Sequence, residues 1–170
     1  NFAIALVTNI LWRNMTPLLS PNISKVLNKF DLKNPADGSC IITGQWDAAE
    51  NPEITIKAKI RNNLFKTPDG IVSNCSFNGE YNNHYVPGKG NTDPNSIIVF
   101  KNFKGNYLKI PFEMPIVKII DLKKPVASGK FKSDFEIEKL NELINKKLFE
   151  FYTGQAKINL FLFILILLKI

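Results

Sequence analysis

The chain holds one histidine, two cysteines and two methionines in 170 residues, and that scarcity removes whole classes of chemistry. Around His84 alone neither a His-based metal site nor a nucleophile paired with a second histidine can be built, so His84 is read as a surface strand residue. Cys40 and Cys75 stand 35 positions apart, without a C-x-x-C pair, which argues against structural zinc. Spacing alone does not test the geometry of a disulfide between them; two small buried side chains are the preferred reading. There is no phosphate-binding G-x-x-x-x-G-K-S/T loop, and no G-x-G-x-x-G follows a strand-like run. No basic start, apolar run and small-residue cleavage site mark a signal peptide. The chain opens on Asn1 rather than methionine, which reads as a fragment of something longer. No catalytic residue, metal ligand or cofactor is assigned, and a non-enzymatic role is expected.

Long runs of one charge are also missing. The net charge is +7 with 22 basic and 15 acidic residues, but the lysines are scattered along many strand-like runs. They read first as the solvated face of an amphipathic sheet, and only second as a surface for phosphates or lipid head groups. Phe100, Phe103 and Tyr107 alternate with Lys101, Lys104 and Lys109 in a way that suggests RNA stacking, yet the Gly-Phe core of an RNP1 motif is absent. No nucleic-acid partner is expected. The Asn91–Asn95 run lacks the spaced acidic ligands of a calcium loop and reads as a solvated turn. Asp134, Glu136 and Glu138 are close in sequence, but strand neighbours point to opposite faces, so no acid–base pair is assigned.

What the sequence has in quantity is alternation. The organising stretch is Asp93–Pro125. Its run Ile97–Phe100 is β-branched and aromatic, Lys104-Gly105-Asn106 reads as a reversal, and Ile110, Phe112, Met114, Ile116, Ile120 and Leu122 share one parity. Pro111 and Pro115 cannot donate to a ladder, which places that strand at an edge or interrupts it with a bulge. Glu53–Arg61 alternates strictly, with Ile54, Ile56, Ala58 and Ile60 on one face and Lys57, Lys59 and Arg61 on the other, as in an antiparallel sheet with one wet side. Phe2–Arg13, Ser39–Trp46, Ile71–Tyr85, Ser128–Phe135 and Gly154–Leu160 also read as strands. In Ile71–Tyr85, Ile71, Cys75, Phe77 and Tyr81 are expected on one side.

Two short helices are expected. Ser20-Pro21 supplies a cap and an N1 proline ahead of Pro21–Phe30, and Ile137, Leu140 and Ile144 are spaced for a helix over Glu136–Asn145. Leu160–Leu168 is nine apolar residues without alternation, where a spanning helix needs about 20. A strand buried on both faces, a truncated membrane segment and non-native sequence all fit that run. Residues 1–158 are therefore read as one β-rich region and 159–170 as an atypical tail.

Several stretches carry a family likeness. Asp93–Ser96, the NF-x-G at Asn102–Gly105, the IPF at Ile110–Phe112, Leu122–Pro125, the F-x-x-x-x-LN at Phe135–Asn141, Leu18–Ser24 and Thr43–Gly44 together resemble the C-terminal region of AsmA-like proteins, of the Bacteroidetes type, over roughly residues 1–158. The resemblance implies a periplasmic envelope protein, anchored in the inner membrane through a segment that this chain does not contain. It implies a curled antiparallel β-sheet with an apolar interior, linked to phospholipid transport between the two membranes and to outer-membrane assembly. On that reading phospholipid acyl chains, the membrane surface and other envelope assembly proteins are the partners. The groove would be lined by Ile54, Ile56, Ile60, Phe77, Ile97, Val99, Phe112, Phe131 and Phe135. The alternation serves equally well for a sandwich-like scaffold domain whose apolar face is simply filled core, and that alternative stands beside the groove.

Overall fold

The computed structural model describes residues 1–15, 24–25, 28–46, 51–144 and 150–165. Among them nine strands form one antiparallel sheet: β1 (Phe2–Ile10), β2 (Asp31–Leu32), β3 (Ala36–Gly44), β4 (Glu53–Thr67), β5 (Gly70–Asn82), β6 (Ile97–Tyr107), β7 (Ile110–Ile120), β8 (Val126–Glu136) and β9 (Gln155–Leu165). The order across the sheet is β1-β3-β4-β5-β6-β7-β8-β9, with β2 joining β4 on the same side as β3. From β3 onward each strand lies beside its chain neighbour, and tight turns join β4 to β5 and β6 to β7. The expected mainly-β antiparallel architecture is present, as a single sheet that does not close: β1 and β9 are its two edges.

The four central strands each carry one extra residue. Between Ile60 and Asn63 three steps on β4 match two on β5, and the surplus falls at Asn62, whose φ is +42°. The same happens at Asn74 on β5 (φ +51°), at Asn102 on β6 (φ +54°) and between Glu113 and Val117 on β7. Asparagine tolerates the left-handed region better than any residue but glycine, which is why three of these β-bulges sit on it. Each bulge shifts the side-chain parity by one. Hence Ile60 and Phe65, Val72 and Cys75, Phe100 and Phe103, and Met114 and Val117 share a face although their spacings are odd.

These shifts correct several expectations. On β5, Val72 rather than Ile71 joins Cys75 and Phe77; Ile71 is exposed. On β7, Ile116 and Ile120 leave the apolar face for the other and are exposed. Leu122 lies beyond the strand. β7 is an interior strand, and Pro115 is accommodated in its bulge rather than at an edge. The expected reversal at Lys104–Asn106 lies inside β6. The chain turns instead at Leu108 and Lys109, with φ of +50° and +66°, two consecutive left-handed residues that suit a tight hairpin.

Gly105 serves close approach instead of a turn. A Cβ there would stand 2.6 Å from Val72 Cγ1 and 3.1 Å from the Ser73 carbonyl oxygen. Gly105→Ala is expected to destabilise the fold by about 1–3 kcal/mol through overpacking. In urea titrations the double variant Gly105→Ala/Val72→Ala should lose less than the sum of its single changes, because removing the Val72 methyls makes room.

Of the helix expected over Pro21–Phe30, residues 21–23 and 26–27 lie outside the described residues. Ser24 and Lys25 are helical, and the Asn28 N–H donates to the Ser24 carbonyl at 2.9 Å. A four-residue helix, α1 (Trp12–Met15), follows β1. The helix expected over Glu136–Asn145 is a 3-10 helix at Ile137–Glu142, and residue 145 lies outside the described residues. Within it the Asn141 carboxamide donates to the Phe151 carbonyl (2.7 Å) and accepts the Phe151 N–H (2.9 Å), tying the segment to the approach to β9. β9 pairs with β8 without a break from Gln155 to Leu165, so position 158/159 falls within a strand.

Candidate functional site: an apolar sheet face

Paired residues of antiparallel strands share a face, so the register fixes which side chains lie together. Ile56 pairs with Tyr81, which pairs with Ile98, which pairs with Ile119. Ile60 pairs with Phe77, and Gly105 with Phe112. Followed across the sheet, these rows place Ile54, Ile56, Ile60, Phe77, Phe112, Phe131 and Phe135 on one face. Ile97 and Val99 are on the other. Ile97 faces Asn82 and Ile120, and Val99 faces Glu80 and Lys118. The bulge at Asn102 is the cause: Phe103 and Tyr107 belong to the apolar face, and across the extra residue that face passes to Ile98 and Phe100. Ile97 is nonetheless buried, at 4% exposure.

The apolar face has two unlike parts. Around and above the line of bulges it is filled. Leu32, Ile60, Val72, Cys75, Phe77 and Phe112 form a buried cluster with Phe65, Phe100, Phe103 and Phe131 packed against it. Phe77 stands at its centre, with ring centroids 5.1 Å from Phe103, 5.2 Å from Phe100 and 6.1 Å from Phe65. Phe65 and Phe103 meet at 6.3 Å across the intervening strand β5. The edge-to-face and tilted pairings suit aromatic quadrupoles. Phe30 closes the upper end by stacking on Phe65 at 5.7 Å. Phe135, buried, continues the row on β8 beyond Phe131.

Below the bulges the face is mostly aliphatic, with Tyr81 between Ile56 and Ile98, and it is only partly covered. Ile4 and Leu6 are 44% and 55% exposed, and Cys40, Ile54, Ile56, Ile98 and Ile119 are half-buried. Each strand there packs chiefly on its sheet neighbours, and α1 packs on β2. Apolar surface left to water in this way forgoes about 25 cal/mol per Å².

Burial also sets the chemistry of the polar groups on this face. Cys40 and Cys75 are free thiols. Burial pushes the Cys75 thiol up to about 12 and raises Cys40 as well. Burial likewise raises the Tyr81 phenol, against a lowering hydrogen bond with Ser96. A nucleophilic thiolate at neutral pH is therefore disfavoured at both cysteines. An unfolded thiol ionises from about pH 8.5, below the folded value, so the unfolded chain binds fewer protons above that pH. The thiols' contribution to stability should be constant below about pH 8.5 and be lost as pH climbs toward 12. Urea midpoints at pH 7 and pH 10 should show the loss, and Cys75→Ala should reduce it.

Buried asparagines hold the connections. Asn63 accepts the Asn34 N–H (3.0 Å) and donates to the Asn34 carbonyl (2.9 Å), bridging the gap between β2 and β3 beside β4. Asn83 accepts from Ile54 N–H (2.8 Å) and donates to the Pro52 carbonyl (2.9 Å). Asn95 accepts from Val86 N–H (2.9 Å) and donates to the carbonyls of Val86 (3.0 Å) and Gly90 (2.7 Å). In each case one carboxamide stands in for a strand residue, pairing a backbone N–H and a C=O that would otherwise lack partners. The expected solvated turn at Asn91–Asn95 is thus anchored from within.

The opposite face is wet. Lys57, Lys59, Lys118, Lys130 and Lys132 are exposed on it, beside the ion pairs Arg61–Asp37 (2.8 Å) and Lys101–Glu80 (2.9 Å). Such exposed pairs contribute little to stability. His84 is half-buried next to Asn83, and Asp134 is engaged with Lys157 at 3.6 Å. Hollows of about 280 Å³ (Arg13, Lys29, Phe30, Asp31) and 560 Å³ (Phe2, Gln45, Asn51, Glu53) are polar and touch none of the nine residues expected to line a groove. Among the described residues no group of histidine, cysteine or carboxylate side chains could hold a metal ion, and no helix is long and apolar enough to cross a membrane. Comparison with known proteins finds no matching family model, curated protein or solved structure.

Proposed function

We propose that this chain is a non-enzymatic binding module that holds phospholipid acyl chains against the lower, aliphatic part of its sheet. The observation that carries the reading is the division of one apolar face: aromatic rings fill the upper part, while Ile4, Leu6, Ile54 and Ile56 are left partly open. An acyl chain needs no specific polar contact there, since each buried methylene contributes about 0.8 kcal/mol. The exposed lysines of the other face suit anionic head groups or a membrane surface. The resemblance to AsmA-like proteins gives this chemistry its setting: the periplasm, an inner-membrane anchor, and lipid movement toward the outer membrane with other assembly proteins.

Ile56→Asp places a charge in the middle of the open part. It is expected to abolish binding of a fluorescent fatty acid that phospholipid displaces from the wild type, with circular dichroism unchanged; probe binding and displacement as in the wild type would count against the site. A second reading, a ligand-free scaffold domain of an envelope protein, is favoured by the filled upper cluster, where Ile60, Phe77 and Phe112 are 2%, 7% and 8% exposed. Three of the residues expected to line a groove are there members of one buried cluster.

A further inference from the structure

We infer that the β5–β6 loop and the β7–β8 turn dock together on an anionic bilayer surface, with the loop tip in the head-group layer. The register sets the strand ends Glu53, Asn82, Ile97, Ile120 and Val126 along one rim of the sheet, where the partly open lower part of the apolar face ends. Both connections leave interior strands, so neither owes its exposure to an edge of the sheet. The loop is built rigidly from within. The Tyr85 N–H donates to the Asn95 carbonyl (2.9 Å), and the Asn95 carboxamide takes both the N–H (2.9 Å) and the carbonyl (3.0 Å) of Val86. The Lys89 N–H then reaches the Val86 carbonyl at 3.3 Å across Pro87 and Gly88, whose φ is +77°. Proline followed by a left-handed glycine suits a type II turn.

The occupant follows from the side chains this frame presents. Tyr85 is 49% and Val86 36% exposed, and Pro87 and Lys89 are exposed beside them. A tyrosine ring at head-group level, apolar groups next to it and a lysine reaching back to phosphate match a membrane interface. The β7–β8 turn adds charge and is tied to the loop: the Asp121 N–H donates to the Ser96 carbonyl (3.0 Å) and the Leu122 N–H to the Asp93 carbonyl (2.9 Å). The Asp121 carboxylate is turned onto its own turn, accepting from the N–H groups of Lys123 (3.1 Å) and Lys124 (3.0 Å). The side chains of Lys123 and Lys124 are exposed. Among the described residues neither they nor Lys89 form an ion pair. Three unpaired cations around an apolar tip complement anionic head groups. The inference rests on the proposed acyl-chain site for its purpose alone, since lipid would pass from the bilayer to the face that borders this rim.

The test is flotation of the chain with vesicles of phosphatidylcholine and phosphatidylglycerol, with binding of a fluorescent fatty acid in solution measured alongside. The wild type is expected to float with these vesicles and far less with phosphatidylcholine alone. Tyr85→Ser/Val86→Asp should lower the partition on the order of 10-fold or more, and Lys89→Gln/Lys123→Gln/Lys124→Gln on the order of 100-fold. Leu108→Asp, at a 48% exposed position on the opposite rim, should float as the wild type does. Both rim variants change exposed positions, so they should keep the wild-type circular dichroism and fatty-acid binding. A wild type that floats with neither vesicle, rim variants that float as well as the wild type, or a Leu108→Asp variant as impaired as they are would each overturn the inference, even where fatty acid binds. Flotation that follows the expected pattern without fatty-acid binding would uphold the docking and remove the acyl-chain site.

Discussion

Phe77→Ala is expected to lower the unfolding free energy by about 3–5 kcal/mol, the usual cost of emptying a well-packed aromatic site. Phe77 is 7% exposed and its ring touches Phe65, Phe100 and Phe103 on two other strands, so its removal loosens β4, β5 and β6 together. Neighbours already pinned by their own aromatic contacts can collapse only partly into the space. Phe100→Ala should cost less, because Phe100 is half-buried at the margin of the cluster. Denaturant titration of both variants checks the order. Equal effects would mean that the cluster has no centre.

Asn63→Ala should be nearly as damaging for a different reason. Asn63 is 2% exposed, and its carboxamide is the partner of both the Asn34 N–H and the Asn34 carbonyl. Truncation leaves both backbone groups without it, at about 1–3 kcal/mol for each that water cannot reach. Asn63→Asp keeps an acceptor for the N–H but loses the donor and introduces a buried charge, so it should not rescue the alanine variant. Amide exchange gives the local readout: protection of Asn34 and Lys33 should fall in both variants, while that of β8 and β9 is retained.

Much of the architecture was legible because alternation dictates it. Glu53–Arg61 divides into isoleucines on one side and cations on the other, and that division alone places β4 with one wet face. What could not be read from alternation is where alternation breaks. A parity argument carried through Asn102 puts Ile97 and Val99 with Phe103, and the bulge puts them on the opposite face. The same error moves Ile71, Ile116 and Ile120. A signal was available: Asn74 and Asn102 each sit in mid-strand between apolar residues spaced by three (Val72 and Cys75, Phe100 and Phe103), and Asn62 between Ile60 and Phe65, spaced by five, the odd spacing expected when an asparagine takes the left-handed region and adds one residue. Gly105 misled for the opposite reason. A glycine in a strand marks either a turn or close contact, and only the nearness of Val72 tells which.

The candidate site was legible in composition and not in occupancy. Ile60, Phe77 and Phe112 were identifiable as inward residues, but whether inward residues meet one another depends on the strands that the bulges bring together. The bridging roles of Asn63, beside the β4 bulge, and of Asn83 and Asn95, between β5 and β6, left no mark in the sequence beyond their being asparagines.

The measurement that tests the central claim most directly is native mass spectrometry of the chain after purification from bacterial membranes, with extraction and identification of any bound lipid. If the aliphatic part of the face holds acyl chains, the wild type will carry phospholipid, and Leu6→Asp or Ile56→Asp, folded as judged by circular dichroism, will not. A folded wild type free of lipid, including after incubation with phospholipid vesicles, would contradict the account and leave the sheet as a scaffold.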